Sequence, residues 1–133
     1  MFDFKNALSD EQNGGLQFFI EERRPDLVVS RMPVTQDMLN PFGTIHAGAM
    51  IWLADVTATV LTLQDTIVSK SGKGFPLAIT LNASLMGNQR DGEIRAEARF
   101  VRDGKRVRVV RTQLYGKKGK LLAEITTHHV PAG

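Results

Sequence analysis

The fold is decided by residues 46–66, which read HAGAMIWLADVTATVLTLQDT. The apolar residues of this stretch point nearly all round a helical wheel, which is typical of a helix buried on every side. The stretch has no proline, and its one glycine, Gly48, lies in the first turn. At 1.5 Å per residue, roughly 21 residues predict a rod about 30 Å long. The rest of the chain has to cover it.

After the helix, apolar and polar residues alternate, which predicts half-buried strands. The first strand should turn five apolar side chains to one face: Leu77, Ile79, Leu81, Ala83 and Leu85. Three more strands are expected over residues 93–100, 106–115 and 120–130. Asp103-Gly104 favours a two-residue type I′ turn between the first two of these three.

Ahead of the helix, residues 16–23 and 27–35 are expected to form a hairpin around Arg24-Pro25-Asp26. The predicted order is β-β-α-β-β-β-β, and short turns between successive strands favour an antiparallel sheet. Since one sheet can curl around most of an apolar helix, we predict an α+β fold, a curled antiparallel sheet wrapped around one long central helix. The 133 residues fit a single domain over 1–133.

Composition narrows the possible chemistry. The chain has no cysteine, which excludes disulfides, thiolate metal sites and a cysteine nucleophile. The longest apolar run, residues 47–54, is far shorter than the ~20 residues that a membrane span needs, and the N-terminus does not resemble a signal peptide. We expect a cytoplasmic protein with no membrane partner. Adjacent His128 and His129 would point to opposite faces of a strand, so no metal site is expected.

The formal net charge of +3 is unevenly divided. Residues 1–89 hold six Lys and Arg against nine Asp and Glu, whereas residues 90–133 hold eleven against five. A polyanionic partner is therefore expected in the last third of the chain. Nucleic acid is disfavoured because only Phe100 and Tyr115 supply aromatic rings among these cations. Four arginines that alternate along the strands are expected to form a solvated face: Arg95, Arg99, Arg108 and Arg111.

Asp55 is the anomaly of the helix, because residues 51–54, 56 and 58 around it are all apolar. Burying a carboxylate without partners is costly or raises its pKa. Thr59, one turn later, lies on the same face and could hydrogen-bond the carboxylate or a substrate. Two interpretations are open: a structural carboxylate satisfied by a neighbouring strand, or a functional acid.

The loop before the helix, Asn40-Pro41-Phe42-Gly43-Thr44, is the second candidate. It leads into a helix whose first N–H groups lack intrahelical partners and carry the positive end of the helix dipole. The N–H groups of Ala47 and Gly48 could therefore stabilise a carbonyl oxygen that becomes an oxyanion. An ordinary helix start after a turn is the alternative.

His46 and Asp55 are nine residues apart, about 13 Å along one helix. One reacting carbonyl therefore cannot contact both residues of the same chain. If both serve one reaction, they come from different subunits whose helices pack side by side. The catalytic hypothesis thus predicts a symmetric homodimer with two sites across its interface, and assembly into a tetramer is left open.

From Asn40 to Asp55 the sequence resembles the signature of hotdog-fold acyl-CoA thioesterases of the phenylacetic-acid-degradation (PaaI) type. The family pattern is roughly N-x-x-G-x-x-H-G-G-x-x-x-x-L-x-[DE], and this chain has NPFGTIHAGAMIWLAD. The likeness continues through residues 81–130 and covers most of the chain from Leu27. It implies a hotdog fold and hydrolysis of an acyl-CoA thioester to free acid and coenzyme A, with no cofactor besides the coenzyme A of the substrate.

The resemblance also implies roles for residues. Asp55 matches the catalytic acid, as nucleophile or general base, and the Ala47 N–H matches the donor that polarises the thioester carbonyl. Asn40 matches a residue that holds substrate or water from the opposing subunit, and His46 matches the histidine beside the oxyanion site. Further substrate contacts are expected from Gly48, Thr59, Ser84, Lys105 and Arg106. The last two, at the predicted hairpin tip, should receive the phosphates of coenzyme A.

The chain departs from the family pattern in two places. Ala47 replaces the first glycine of His-Gly-Gly, and Gly87-Asn88 follows the third strand, where Arg/Lys-Pro is frequent. A non-enzymatic acyl-CoA sensor or carrier on the same fold is the main alternative, since it would keep the pocket without needing Asp55. A dehydratase on this fold is a further alternative, although its Asp and His would be expected closer together.

Overall fold

The computed structural model describes residues 15–66 and 68–133. This part of the chain forms six strands: β1 (Phe19–Arg23), β2 (Leu27–Pro33), β3 (Pro76–Leu85), β4 (Glu93–Asp103), β5 (Arg108–Tyr115) and β6 (Leu121–Pro131). It also forms one α-helix, α1 (Ala47–Leu63), and two short 3-10 turns, Gln36–Met38 and Lys117–Gly119. The order of strands and helix is the predicted one.

The strands form one antiparallel sheet in the order β1-β2-β4-β5-β6-β3. α1 packs across one face of this sheet and contacts β2 to β6. The helix carries the chain from β2 to the far side of the sheet, so β3 lies at the edge beside β6. No helix in the described ranges is long and apolar enough to cross a membrane.

The core lies between α1 and the sheet face that it covers. Every second residue from Ile94 to Ala98 of β4 is buried there. A buried polar pair ties the helix to β2, because the hydroxyls of Ser30 and Thr57 lie 2.6 Å apart. Thr57 also donates to a carbonyl of its own helix, so both hydroxyls are satisfied as burial requires.

The opposite face of the sheet is charged. Arg95 and Arg99 pair with Glu97 at 2.8 and 3.0 Å, and Arg111 pairs with Glu124 at 3.1 Å. The predicted solvated face is confirmed for these three arginines. Exposed ion pairs of this kind contribute little to stability.

Two arginines cap the carboxyl end of α1. The fourth predicted surface arginine, Arg108, is only partly exposed; it pairs with Asp103 at 3.1 Å and donates to the Thr62 carbonyl. Arg23 of β1 donates to the Gln64 carbonyl at 2.8 Å. Cations at this position satisfy carbonyls that have no intrahelical partner and complement the negative end of the helix dipole.

α1 ends at Leu63, three residues earlier than predicted, because the next residues form a tight turn. The Thr66 N–H donates to the Leu63 carbonyl at 2.9 Å. Gln64, the first central residue of that turn, has φ 45° and ψ −124°. This is the conformation of a type II′ turn, which glycine adopts at no steric cost and other residues adopt with strain.

Gln64→Gly is therefore expected to stabilise the protein by about 1 kcal/mol. The relief of backbone strain should outweigh the loss of a weak 3.4 Å bond from the Gln64 amide to the Pro25 carbonyl. Thermal unfolding should show a Tm higher by about 3–5 °C. Gln36→Gly is the matched control, since Gln36 has no positive φ and should gain nothing. Equal or lower stability of Gln64→Gly would refute the strain at this turn.

The connection between β4 and β5 is not the predicted two-residue type I′ turn. β4 ends at Asp103 and β5 begins at Arg108, with residues 104–107 between them. Gly104 lacks the positive φ of a type I′ turn. Its lack of a side chain permits close approach instead, because an added Cβ would lie 2.5 Å from the Val107 carbonyl oxygen. The result is a wider loop that carries Lys105 and Arg106.

A bulge in β3 divides the predicted apolar face. The register with β6 shifts between Ala78 and Thr80, which makes Ile79 the extra residue. Leu81, Ala83 and Leu85 lie opposite buried residues of β6 and face the α1 side. Leu77 lies on the other side of the shift and faces away from α1. The prediction that all five apolar residues share a face is therefore wrong.

Candidate active site

The loop before α1 is organised by Asn40. Its Oδ1 accepts the N–H groups of Phe42 (2.9 Å) and Thr44 (3.2 Å), and its Nδ2 donates to the Thr44 hydroxyl at 2.8 Å. Gly43 completes the turn with φ 81°, a value that favours glycine. Within the described residues, the Asn40 side chain bonds only to its own loop, so its amide shapes the loop.

The chain enters α1 through Ile45, which is fixed from two sides. A bridge pairs Ile45 with Leu39, and the neighbouring His46 N–H donates to the Met38 carbonyl at 2.8 Å. On the other side, the Asn88 side chain bonds both backbone polar groups of Ile45. In the sequence, Asn88 stands out only as a departure from the family pattern.

The amino end of α1 is open. Ala47 and Gly48 are exposed, and His46, the N-cap residue, is also exposed and makes no side-chain capping bond. The N–H groups of the first helical residues have no intrahelical acceptor. Among the described residues, a Cβ added to Gly48 would meet nothing within 4 Å. The predicted oxyanion donors therefore lie at an exposed position among the described residues.

The least buried residues of α1 form one stripe, defined by Ala47, Gly48, Ile51, Trp52 and Asp55. Their spacing of three or four residues places them along one side of the helix. The other twelve helical residues are buried, so the prediction of a helix buried on every side fails only along this stripe. The chain's own sheet does not cover this stripe, which runs along α1 from its open amino end to Asp55.

Burial raises the pKa of the Asp55 carboxyl above its ordinary value of 3.8. Among the described residues, no cation or hydrogen-bond donor contacts it. The structural interpretation, a carboxylate satisfied by a neighbouring strand, therefore finds no partner. Thr59 is buried one turn later, but its hydroxyl makes no hydrogen bond to Asp55 within the same ranges. A half-buried carboxylate without partners is a stronger base than an exposed one.

Ser84 is not brought to this site. It lies opposite Glu124 of β6, whose side chain is paired on the charged face of the sheet. Ser84 and Asp55 are therefore on opposite sides of the sheet within one chain. The bulge at Ile79 does not affect this placement, since it precedes Ser84 in the strand.

Lys105 and Arg106 line a cavity of about 140 Å³ at the carboxyl end of α1. Its other lining residues include Thr62, Arg108 and His129. Three cationic side chains thus surround one small volume, about 10 Å along the helix from Asp55. The arrangement suits a phosphate group.

The adjacent histidines lie on different faces, as predicted. Nε2 of buried His129 lies 2.8 Å from the Thr127 hydroxyl. Burial, with a smaller contribution from His128, lowers the pKa of His129 to about 4, so this ring is neutral at pH 7. No group of three or more metal-ligating side chains occurs in residues 15–66 and 68–133.

Residues 13–129 match the family described as "Domain of unknown function (DUF4442)". The 1,4-dihydroxy-2-naphthoyl-CoA hydrolase of Escherichia coli (strain K12) is 27% identical over 108 residues, which are 81% of this chain and 76% of that protein. A variant of a Staphylococcus aureus subsp. aureus Mu50 thioesterase superposes with a TM-score of 0.79 and 26% identity, covering 87% of this chain and 93% of its own. A hypothetical thioesterase of Streptococcus pneumoniae TIGR4, solved with coenzyme A, has a TM-score of 0.76 and 18% identity, covering 88% and 87%.

The likeness to these solved structures confirms the predicted hotdog fold, one helix packed against a six-stranded antiparallel sheet. The hydrolase and thioesterases among the relatives confirm the enzyme class that the resemblance implied, a thioesterase. Since the family match extends over residues 13–129, the chain belongs to the DUF4442 family.

Proposed function

We propose that this chain hydrolyses an acyl-CoA thioester to the free acid and coenzyme A, with each site shared between two copies of the chain. The observation that carries the proposal is the uncovered stripe of α1. Open N–H donors lie at one end of the stripe, and a half-buried carboxylate with no partner among the described residues lies eight residues further on. These are the two groups that thioester hydrolysis needs.

The thioester carbonyl oxygen accepts the Ala47 N–H, and the positive end of α1 stabilises the charge that develops there. His46 lies beside this position as the N-cap residue. Asp55 of the second copy then acts in one of two ways. As general base, it takes a proton from water while the water oxygen attacks the carbonyl carbon. As nucleophile, its oxygen attacks the same carbon to form a mixed anhydride that water later hydrolyses. In both routes the C–S bond breaks and the coenzyme A thiolate leaves.

A second copy fits the unpaired edge of β3. This strand ends the sheet, and its apolar side chains are exposed, with Leu77, Ile79, Leu81 and Leu85 between 44% and 56% accessible. A long, exposed, apolar edge strand is a template for pairing with another chain. Pairing there extends the sheet and places the second α1 against the stripe of the first.

Symmetry makes this arrangement consistent with the site. In a two-fold dimer with antiparallel helices, a residue on the axis meets its own copy. Ile51 is midway between Ala47 and Asp55 on the stripe. An axis near Ile51 therefore brings each Ala47 opposite the Asp55 of the other copy and creates two equal sites.

The cavity lined by Lys105 and Arg106 supports the proposal that the phosphates of coenzyme A bind there. Its separation of about 10 Å from Asp55 along the helix is within the reach of the pantetheine arm. Lys105→Glu with Arg106→Glu should raise KM for an acyl-CoA about tenfold or more and barely change KM for the matching pantetheine thioester. Both KM values come from the same steady-state assay.

The matched control places the same charge change in the loop that follows β5, since Lys105 and Arg106 lie in the loop before it. Lys117→Glu with Lys118→Glu should leave both KM values near those of the native protein. If the two double variants raise KM for acyl-CoA equally, the effect is one of net charge, and the assignment of the phosphates to Lys105 and Arg106 is wrong.

Gly48 provides a test that separates the site from the fold. Because a Cβ at this position meets none of the described residues of its own chain within 4 Å, Gly48→Ala should keep or slightly raise the Tm. The methyl group occupies space where the thioester approaches, so kcat/KM should fall about tenfold or more. Thermal unfolding and kinetics on the same preparation check both results. Unchanged kcat/KM would remove Gly48 from the site.

The proposed reaction is tested by a hydrolysis screen over short, long and aromatic acyl-CoAs. Coenzyme A release can be followed with a thiol reagent without background, since the chain has no cysteine. We expect turnover of at least one acyl class. Retention of every acyl-CoA intact over hours would contradict hydrolysis and favour an acyl-CoA sensor or carrier. Use of an intracellular thioester would also fit the predicted cytoplasmic location.

A further inference from the structure

We infer that Asn88 is a positioning residue for the oxyanion donors, an inference that rests on the proposed thioester hydrolysis. Its side-chain Oδ1 accepts the Ile45 N–H at 2.7 Å, and its Nδ2 donates to the Ile45 carbonyl at 3.0 Å. One amide side chain thus satisfies both backbone polar groups of a single residue 43 positions away in the sequence. Ile45 is two residues before Ala47, so Asn88 fixes the direction in which the chain enters α1.

The contact acts on a segment that is held on its other side as well. Ile45 is 2% exposed and is bridged to Leu39. Between these contacts its backbone has little freedom to shift. The Ala47 N–H follows within one turn of the helix, so its direction depends on the position of Ile45.

Asn88 itself sits on a rigid support. The N–H groups of Met86 and Gly87 both donate to the Leu122 carbonyl of β6, at 2.8 and 2.9 Å. A Cβ on Gly87 would lie 3.1 Å from the Leu122 side chain, so the segment is pressed against β6. The Asn88 Oδ1 also accepts the Gln89 N–H at 2.8 Å, which sets the rotamer of its side chain.

Positioning of this kind affects the transition state more than substrate binding. An oxyanion donor contributes most when it is aimed at the developing charge, and a displacement of about 1 Å can cost about a hundredfold in rate. Loss of the Asn88 bonds should therefore lower kcat and leave KM nearly unchanged. A purely structural role would lower stability without this division between kcat and KM.

The experiment compares Asn88→Ala with Gln89→Ala. Gln89 is the matched control because its side chain bonds the carbonyls of Asp91 and Glu93 and the N–H of Lys117 but, among the described residues, not Ile45. Asn88→Ala should lower kcat about 10- to 100-fold, with KM within about twofold, and should shift the backbone amide resonances of Ala47 and Gly48. Gln89→Ala should do neither, whatever its effect on Tm.

Asn88→Asp keeps the test decisive if the alanine variant does not fold. Its carboxylate still accepts the two N–H groups but cannot donate to the Ile45 carbonyl, and its charge opposes an oxyanion nearby. We expect kcat to fall at least about tenfold with KM unchanged. Native kcat in a folded Asn88 variant, or equal kcat losses in the Asn88 and Gln89 variants, would overturn the inference. A native protein that hydrolyses no acyl-CoA would instead refute the proposed function, and the amide resonances would still report whether Asn88 positions Ala47.

Discussion

Asp55→Asn is expected to lower kcat for thioester hydrolysis by at least about a thousandfold. The amide has nearly the same shape as the carboxylate but can neither take a proton from water nor attack the carbonyl. KM should change little, because the carboxylate acts in the chemical step. Asp65→Asn, just beyond α1 in an exposed position, is the matched control and should be fully active. An Asp55→Asn variant that keeps native turnover would refute the assignment.

The same substitution is expected to raise thermal stability at pH 7. Burial raises the pKa of Asp55 in the folded protein, so folding carries a penalty whenever the carboxylate is charged. The penalty is complete above the folded-state pKa, decreases as the pH falls through it, and vanishes below the unfolded value of 3.8. The Tm difference between Asp55→Asn and the native protein should therefore shrink as the pH is lowered. A difference that does not depend on pH would contradict this origin.

The pH dependence of kcat/KM for the native protein should report the titration of the same carboxyl group. Both routes need the charged carboxylate, so kcat/KM should rise with pH through an apparent pKa above 3.8.

Single-turnover hydrolysis in ¹⁸O-water can identify the nucleophilic route, because label in Asp55 requires the mixed anhydride. Label confined to the product acid is the result for a general base, and also for an anhydride that water opens at the substrate carbonyl.

Ile79→Lys is expected to convert the proposed dimer to a monomer and to reduce activity about a hundredfold or more. Ile79 is the bulged residue of β3 and is 56% exposed, so a lysine there is tolerated by the single chain. A charge on an edge strand opposes pairing with another strand. Phe19→Lys, on β1 at the opposite edge of the sheet and 45% exposed, is the control and should remain dimeric. Light scattering gives the mass, and a monomer with full activity would refute the shared site.

Mixing of variants tests the sharing directly. Co-expression of Asp55→Asn chains with Gly48→Ala chains gives dimers in which one site has both native groups and the other has neither. With random pairing, about a quarter of all sites are intact. Activity well above the mean of the two separate variants is the expected result, whereas the simple mean would indicate that each chain carries a complete site.

The sequence was a good guide to features that depend on neighbouring residues. The periodicity of residues 47–63 and the alternation after residue 76 are local patterns, and they gave the element order. The errors arose where tertiary contacts determined the backbone conformation. The turn at Gln64 ended the helix early, the bulge at Ile79 reversed the faces of β3, and the register of β4 with β5 replaced the expected turn at Gly104.

The same distinction between local patterns and tertiary contacts applies to the candidate site. Asp55 was visible because a carboxylate among apolar neighbours is a local anomaly, and the open N–H groups of Ala47 and Gly48 follow from any helix start. The contacts of Asn40 within its loop were not visible, since the same residue type suits a turn and a substrate contact. Asn88 was missed because its partner, Ile45, is distant in sequence and is bonded through its backbone. Because the bonds go to the backbone of Ile45, they do not depend on its side chain, and the residue type at that position gives no sign of them.

The two arginine caps have a consequence for the electric field along α1. Arg23 and Arg108 cover carbonyls at one end of the helix, whereas the amides of Ala47 and Gly48 at the other end are uncovered. The cations therefore compensate the negative end of the helix dipole, and one of them, Arg108, is itself paired with Asp103. The amino end keeps the positive potential of the dipole. The proposed reaction thus places its developing negative charge at the end of the helix that carries the positive potential.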